Sequence, residues 1–323
     1  MNARKLAMWV VGASMTLVAT HVAIAQDQFP VKPIRLLLGF PAGGSSDRVA
    51  RLLASPLAER LGVSVVVENR AGAGGNIAAD IVAKSKADGY TLLFVPSGHA
   101  TNAAMKKGLP FDPVLDFTWI STVAVYPLAL SVRPDSRITS FPDFVQRVRQ
   151  EPGKYTYTSV GIGTGMHLFG EWLMHESGGN ALHVPFQGGA ASLTELLAGR
   201  VDVMIDTMTG SAPLARERRI RLLATTAPKS EASPGMATVA DTYPGLVYES
   251  WLGFAAPAGT PKAIVDRLNR EIRAVVASQA VQAQIADMGA KPEAGSSDEF
   301  RMRVAKDISQ FSKIVADRKI EQQ

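Results

Sequence analysis

The chain has 323 residues, 46% of them apolar, which is long for one average domain and too hydrophobic for a disordered or fibrous chain, so two globular units are expected. Its net charge of +5 is spread through segments such as RVARLLASPLAER, with acids among the bases and no stripe of Lys and Arg interleaved with aromatics, which argues against a nucleic-acid partner. Cysteine is absent, and with it go disulfides, thiolate metal sites, cysteine nucleophiles and the lipid anchor of a bacterial lipoprotein.

At the start, Arg4 and Lys5 precede an apolar run from Leu6 to Val22 and then Ala23-Ile24-Ala25, the pattern of a cleavable signal over residues 1–25 that leaves Gln26 as the mature start. An uncleaved anchor fits less well, because the run is short for a span of about 20 residues and is broken by Gly12, Ser14, Thr16 and Thr20. No later segment reaches spanning length. The mature chain, its charge reduced by loss of Arg4 and Lys5, is expected free in a Gram-negative periplasm.

Short Val, Leu and Ile runs then alternate with helical patterns: IRLLLGF, SVVVEN and YTLLFVP each precede a helix. Such alternation predicts a parallel sheet with helices on both faces. The first helix carries Val49, Leu52, Leu53, Leu57 and Leu61 on one face, with Pro56 expected to kink or restart it. A second set follows LALSVRP: YTYTSV, a helix from about Met166, ALHVPF, a helix through SLTELLAG, then VDVMID and IRLLATT. From Thr260 on the chain reads as helical, with Thr260 as N-cap, Pro261 at the first helical position and a capping box at Ser296-x-x-Glu299. These last helices are expected to cover the first sheet. The prediction is an α/β protein of two lobes, residues 26–126 with 250–323 and residues 127–249, crossed near Ala124 to Leu130 and near Glu249 to Phe254, so that the crossings form a hinge.

The turn GFPAGGSSD after the first strand is the first candidate site. Gly43 and Gly44 let a ligand approach the backbone, and Ser45 and Ser46 stand at the free N–H groups of a helix, an arrangement suited to an anion. Many such turns only cap a helix. The same grammar recurs at Ser159, Gly161, Gly163 and Thr164, ahead of His167 and Glu171, and again at Phe186-Gln187-Gly188-Gly189. Ligands of parallel sheets sit beyond the carboxyl ends of strands, so small polar loops in both lobes predict a cleft that closes from two sides. Rival motifs fail. Gly161-x-Gly163-x-Gly165 and AGAGGN lack the dinucleotide spacing, no Gly-Lys-Ser/Thr loop exists, and YTSVG has Tyr157 where a serine hydrolase needs glycine. His167 and His175 diverge on their helix, His183 falls in a strand, and no metal set or catalytic set is expected.

The ordered combination PVKPIRLLLGFPAGGSSDRVAR, VVVENRAGAGGNIAA, DGYTLL, LPFDPVLDF, TSVGIGTGMHLFGE, HVPFQGGAASLTELLAGRVDVMID and GFAAPAGTPKAIVDRLN resembles the tripartite tricarboxylate transporter substrate-binding family, the Bug receptors, over essentially the whole mature chain. That resemblance implies a periplasmic binding protein of the Venus-flytrap kind (type II) with two crossover strands, which holds a small organic acid through backbone N–H groups, hydroxyls and ordered waters. Carried over by motif, the ligand loops are Phe40, Pro41, Ala42, Gly43, Gly44, Ser45, Ser46 and Asp47 in the first lobe, and Ser159, Gly161, Gly163 and Thr164 in the second, with His167 behind. Ser97, Gln187, Gly188 and Asp206 complete the set. It further implies no cofactor, no membrane insertion after cleavage, and as partner either the subunits of a tripartite tricarboxylate-type permease or a sensor kinase; an enzyme of the same fold ranks third, since no catalytic set appears, and a hinged receptor is by default a monomer.

Cations near these loops are few, only Arg48, His99 and His167, so a mono- or dicarboxylate suits the cleft better than a trianion. Asp47 and Asp206 each have a structural reading and a ligand-contact reading. The chain departs from the family pattern at Asn102-Ala103, where asparagine-proline is usual, at RAGAGG, where proline commonly follows arginine, and at Gln187, where a cation is frequent. The rim charge of the cleft is therefore expected to differ.

Overall fold

The computed structural model describes residues 29–186, 188–229 and 235–322. The signal and its cleavage point, and Gln187, lie outside the described residues.

The strands are β1 (Ile34–Leu38), β2 (Val65–Asn69), β3 (Thr91–Pro96), β4 (Phe117–Val132), β5 (Thr156–Ser159), β6 (Leu182–Pro185), β7 (Val203–Thr207), β8 (Arg221–Thr225), β9 (Glu249–Pro257) and β10 (Lys291–Pro292). The helices are α1 (Ser45–Leu61), α2 (Asn76–Ala83), α3 (Gly98–Met105), α4 (Phe141–Gln150), α5 (Gly165–Ser177), α6 (Gly189–Leu197), α7 (Met208–Arg216), α8 (Lys262–Val276), α9 (Gln279–Asp287) and α10 (Ser297–Asp317). The sheet runs β2-β1-β3-β9-β4-β7-β5-β6, with β8 and β10 also on β4.

Parallel pairing holds where the β-helix-β alternation predicts it, for β1 with β2 and β3, and for β5 with β6 and β7. The centre differs from the all-parallel expectation: β9 is antiparallel to β3 and β4, and β4 is antiparallel to β7 and β8. The 16-residue β4 produces this arrangement. Its stretch through Pro127 pairs with β9, and from Leu128 onward it pairs with β7 and β8, so one strand belongs to both halves of the sheet.

Leu36 and Leu38 pack with α1 and α8 on one face, while Leu37 packs with Ala78, Ala79, Trp119, Trp251 and Phe300 on the other. Burial on both faces is why these strands read as continuous apolar runs. α1 runs unbroken through Pro56 and ends at Gly62 in the left-handed conformation. Pro56 therefore does not restart it.

At α8 the expected cap is displaced by one residue. Pro261 is the N-cap, and the Thr260 hydroxyl instead donates to the Pro257 carbonyl at 2.7 Å. The Ser296/Glu299 capping box is present at α10. α10 also reaches further than the first sheet, because Phe300 and Val304 join the first half while Phe311, Ile314 and Val315 join the core of the second half, beside Ala104 and Met105 of α3.

Candidate ligand-binding cleft

β1, β2 and β3 each turn at their carboxyl ends into a helix whose N-cap makes no side-chain capping bond: Gly44 for α1, Gly75 for α2 and Ser97 for α3. In α2 the first of these N–H groups, that of Asn76, donates to the Ala73 carbonyl, and in α3 Ala100 N–H donates to the Ser97 carbonyl; helix starts without a side-chain cap are suited to water or an anion. Pro41, Ala42, Gly43 and Gly44 are exposed, Ser46 and Phe40 are half-buried, and Ser45 opens α1. The turns lie against one another, since a Cβ on Gly39 would fall 2.4 Å from Gly75 Cα, and only glycine permits that approach.

Asp47 is 3% exposed and holds this turn from below. Its carboxylate accepts from Gly43 N–H at 2.9 Å, from Arg51 Nε at 3.0 Å and from Asn69 Nδ2 at 2.9 Å, and Asn69 also donates to the Phe40 carbonyl. Burial pushes its pKa up, but the bonds from Arg51, Gly43 and Asn69 outweigh burial and hold it at about 2. This geometry is that of a structural clamp, with Arg51 neutralised.

Ser97 is buried, and its hydroxyl lies 2.9 Å from that of Ser250 on β9, with Tyr248 Oη donating to it at 3.4 Å. His99 packs in a cluster with Phe111, Phe117 and Trp119, where Nε2 meets the Pro113 carbonyl at 2.7 Å, and it shares a small pocket with Gly39, Phe40, Gly74 and Gly75. Burial lowers its pKa against the bond to the Pro113 carbonyl, and so disfavours the charged imidazolium.

In the second half the predicted loop is internally bonded. Thr164 caps α5 and donates to the Gly161 carbonyl at 2.7 Å; Gly163 N–H donates to His167 Nδ1 at 3.1 Å. Ser159 is fully buried, with Oγ 2.7 Å from His183 Nε2. The His167 and His183 rings stack at 4.0 Å, and Tyr157 stacks on His183 from the other side. Burial lowers the pKa of both imidazoles, and with His167 alongside it takes His183 down to about 3. Sequence reasoning missed His183 because its partners come from β5 and α5, and no local spacing encodes that pairing. Ser159 and His183 resemble two members of a hydrolase set, but no acid bonds His183 Nδ1 among the described residues.

Gly188, at a φ of +99°, is the N-cap of α6, and Asp206 Oδ2 lies 2.5 Å from where a Cβ on Gly189 would stand. Burial raises the Asp206 pKa against the hydrogen bond from Thr207 N–H at 2.6 Å. The two loop sets meet where a Cβ on Gly163 would lie 3.3 Å from Met105 at the end of α3. A cavity of about 500 Å³ exists elsewhere, between α8, α9 and β10, lined by Asn269, Arg270, Arg273 and Pro292, away from these strand ends. Among the described residues no His, Cys, Asp and Glu cluster could hold a metal ion, and no helix is long and apolar enough to cross a membrane.

A family model described as the tripartite tricarboxylate transporter family receptor matches residues 49–320. The chain is 35% identical to a solved R. palustris protein with adipate, covering 90% of this chain and 98% of the other with a TM-score of 0.76. It is 29% identical to the periplasmic binding protein BugD, over 91% and 100% with a TM-score of 0.74. It is 28% identical to MatC from Rhodopseudomonas palustris with bound malate, over 89% and 100% with a TM-score of 0.73.

Proposed function

This chain belongs to the tripartite tricarboxylate transporter receptor family, and on that premise we propose that it is exported to the periplasm, captures a small organic carboxylate between its two halves and delivers it to a tripartite tricarboxylate-type membrane permease. The observation that carries this reading is the row of helix N-termini at α1, α2 and α3, which make no side-chain capping bond at the carboxyl edge of three adjacent strands. Adipate and malate in two relatives agree with it.

In this reading residues 26–126 with 250–323 and residues 127–249 move as lobes about β4 and β9. Gly44 and Ser46 receive a carboxylate on the first lobe. Gly161 and Gly163 close over it from the second, and Ser159 and Thr164 shape that loop, their hydroxyls being engaged within it. Each helix end contributes about 0.3–1 kcal/mol toward an anion, and up to ~2 when partly buried. Arg51 and Arg70 are already paired with Asp47 and Glu68, and Arg48 is a single cation beside Gly43, so dipoles rather than multiple arginine clamps carry the recognition, which suits one or two carboxylates.

The test is a thermal-shift screen of the mature protein, refolded to strip any retained ligand, against mono-, di- and tricarboxylates, acidic amino acids and the matching amides. Ligand at 100 times its dissociation constant adds about 2.7 kcal/mol, a shift of several degrees. A shift with an acid and none with its amide supports the receptor; no shift with any acid rejects it.

A further inference from the structure

We propose that Lys106 is a specificity-determining residue that reads a second anionic group on the ligand; this rests on the carboxylate-receptor reading above. Among the cations along the loop edge of the first half, Arg51 is bonded to Asp47 and Arg70 to Glu68, while Arg48 reaches the Gly43 carbonyl at 3.4 Å beside the start of α1, where the first carboxylate is placed. Lys106 has no acidic partner among the described residues. Its Nζ donates to the Ala73 carbonyl at 3.3 Å, a long bond to a neutral acceptor.

Its position supplies the second part of the argument. Lys106 is the C-cap of α3 and follows Met105, the side chain that meets Gly163 of the opposite half. Its ammonium stands beside the glycine turn that leads into α2, one residue along the chain from the contact with the opposite half. This point is separate from the start of α1, where the first carboxylate is placed. A structural role as a tie for the turn is already filled from one helical turn earlier, because Asn102 Nδ2 donates to the Gly74 carbonyl at 2.7 Å. A cation at the C-terminus of α3 also suits the helix dipole, but that role involves no ligand.

The experiment measures dissociation constants of succinate, glutarate and adipate and of their half-amides on the refolded wild type, Lys106→Gln and Lys106→Arg. In the wild type at least one diacid is expected to bind about tenfold tighter than its half-amide, the scale of one charge-assisted hydrogen bond. Lys106→Gln should bring that ratio to about one while leaving half-amide affinity unchanged, and Lys106→Arg should keep the preference. An unchanged ratio in Lys106→Gln, equal loss for diacid and half-amide, or a wild type without preference overturns the assignment while the receptor reading stands. If neither acids nor half-amides bind the wild type, the receptor reading fails and this inference fails with it.

Discussion

Asp47 is read in the sequence as either a dipole partner of α1 or a ligand contact, and its geometry favours the first role. With Gly43, Arg51 and Asn69 all bonded to its carboxylate, Asp47→Asn is expected to cost about 1–2 kcal/mol and to weaken all acids together, without changing which acid is preferred. Because the folded pKa is about 2 against about 3.9 unfolded, this stabilisation is present above about pH 4 and lost as pH falls toward 2. Melting curves of wild type and variant should therefore converge across that window; a constant gap would contradict the clamp. His183 works in a different window. Its pKa is about 3 in the fold and about 6.5 in the unfolded chain, so the unfolded state takes up a proton first and stability falls as pH drops from about 6.5. His183→Gln should flatten the loss of melting temperature between pH 7 and pH 5, and an equally steep loss would rule out the histidine as its source. Small-residue loops were legible in the sequence, whereas the partners of each polar side chain were not. His99 acquires its environment from the loop and strand that follow α3, and His183 from β5 and α5 before it, through pairings that no local spacing marks.

At the scale of elements, Thr164 caps α5 and, in the proposed reading, also shapes a ligand loop. Removing its hydroxyl by Thr164→Ala should cost about 1 kcal/mol of stability through the lost cap, and should weaken acid binding by loosening Gly161. Calorimetric unfolding and titration read the two effects, and a variant with wild-type values for both would remove Thr164 from the account. Gly39→Ala places a Cβ against the Gly75 backbone, which has no rotamer to yield, and a loss of about 1–3 kcal/mol with displaced first-half turns is expected. Wild-type stability and affinity in that variant would show that the two turns separate easily. The strands and most helix starts were readable because apolar runs, Gly and capping residues are local signals. Strand direction was only half readable: β4 and β9 are antiparallel through pairings across more than a hundred residues, and the chain carries no nearby mark of them.

For the whole molecule, α10 changes the picture of two lobes joined only by crossing strands. Its first turns pack in one core and its last in the other, and Arg318 beyond it pairs with Glu171 of α5 at 2.9 Å. A helix shared by both cores couples them, so the receptor without ligand should unfold in one calorimetric transition; two separable transitions would show that α10 does not couple the halves. Two-lobed architecture was legible from the repeated β-helix order, but this third link was not, because an amphipathic helix shows that it has an apolar face without showing which surfaces that face covers. The central claim, an acid held between the halves at the start of α1, is tested most directly by a crystal structure of the refolded protein with the acid that gives the largest thermal shift. The account predicts a carboxylate within hydrogen-bonding distance of the first-turn N–H groups of α1, enclosed by the Gly161–Gly163 loop. The acid lodged instead in the groove beside α8 and α9, near Arg270 and Arg273, would contradict it.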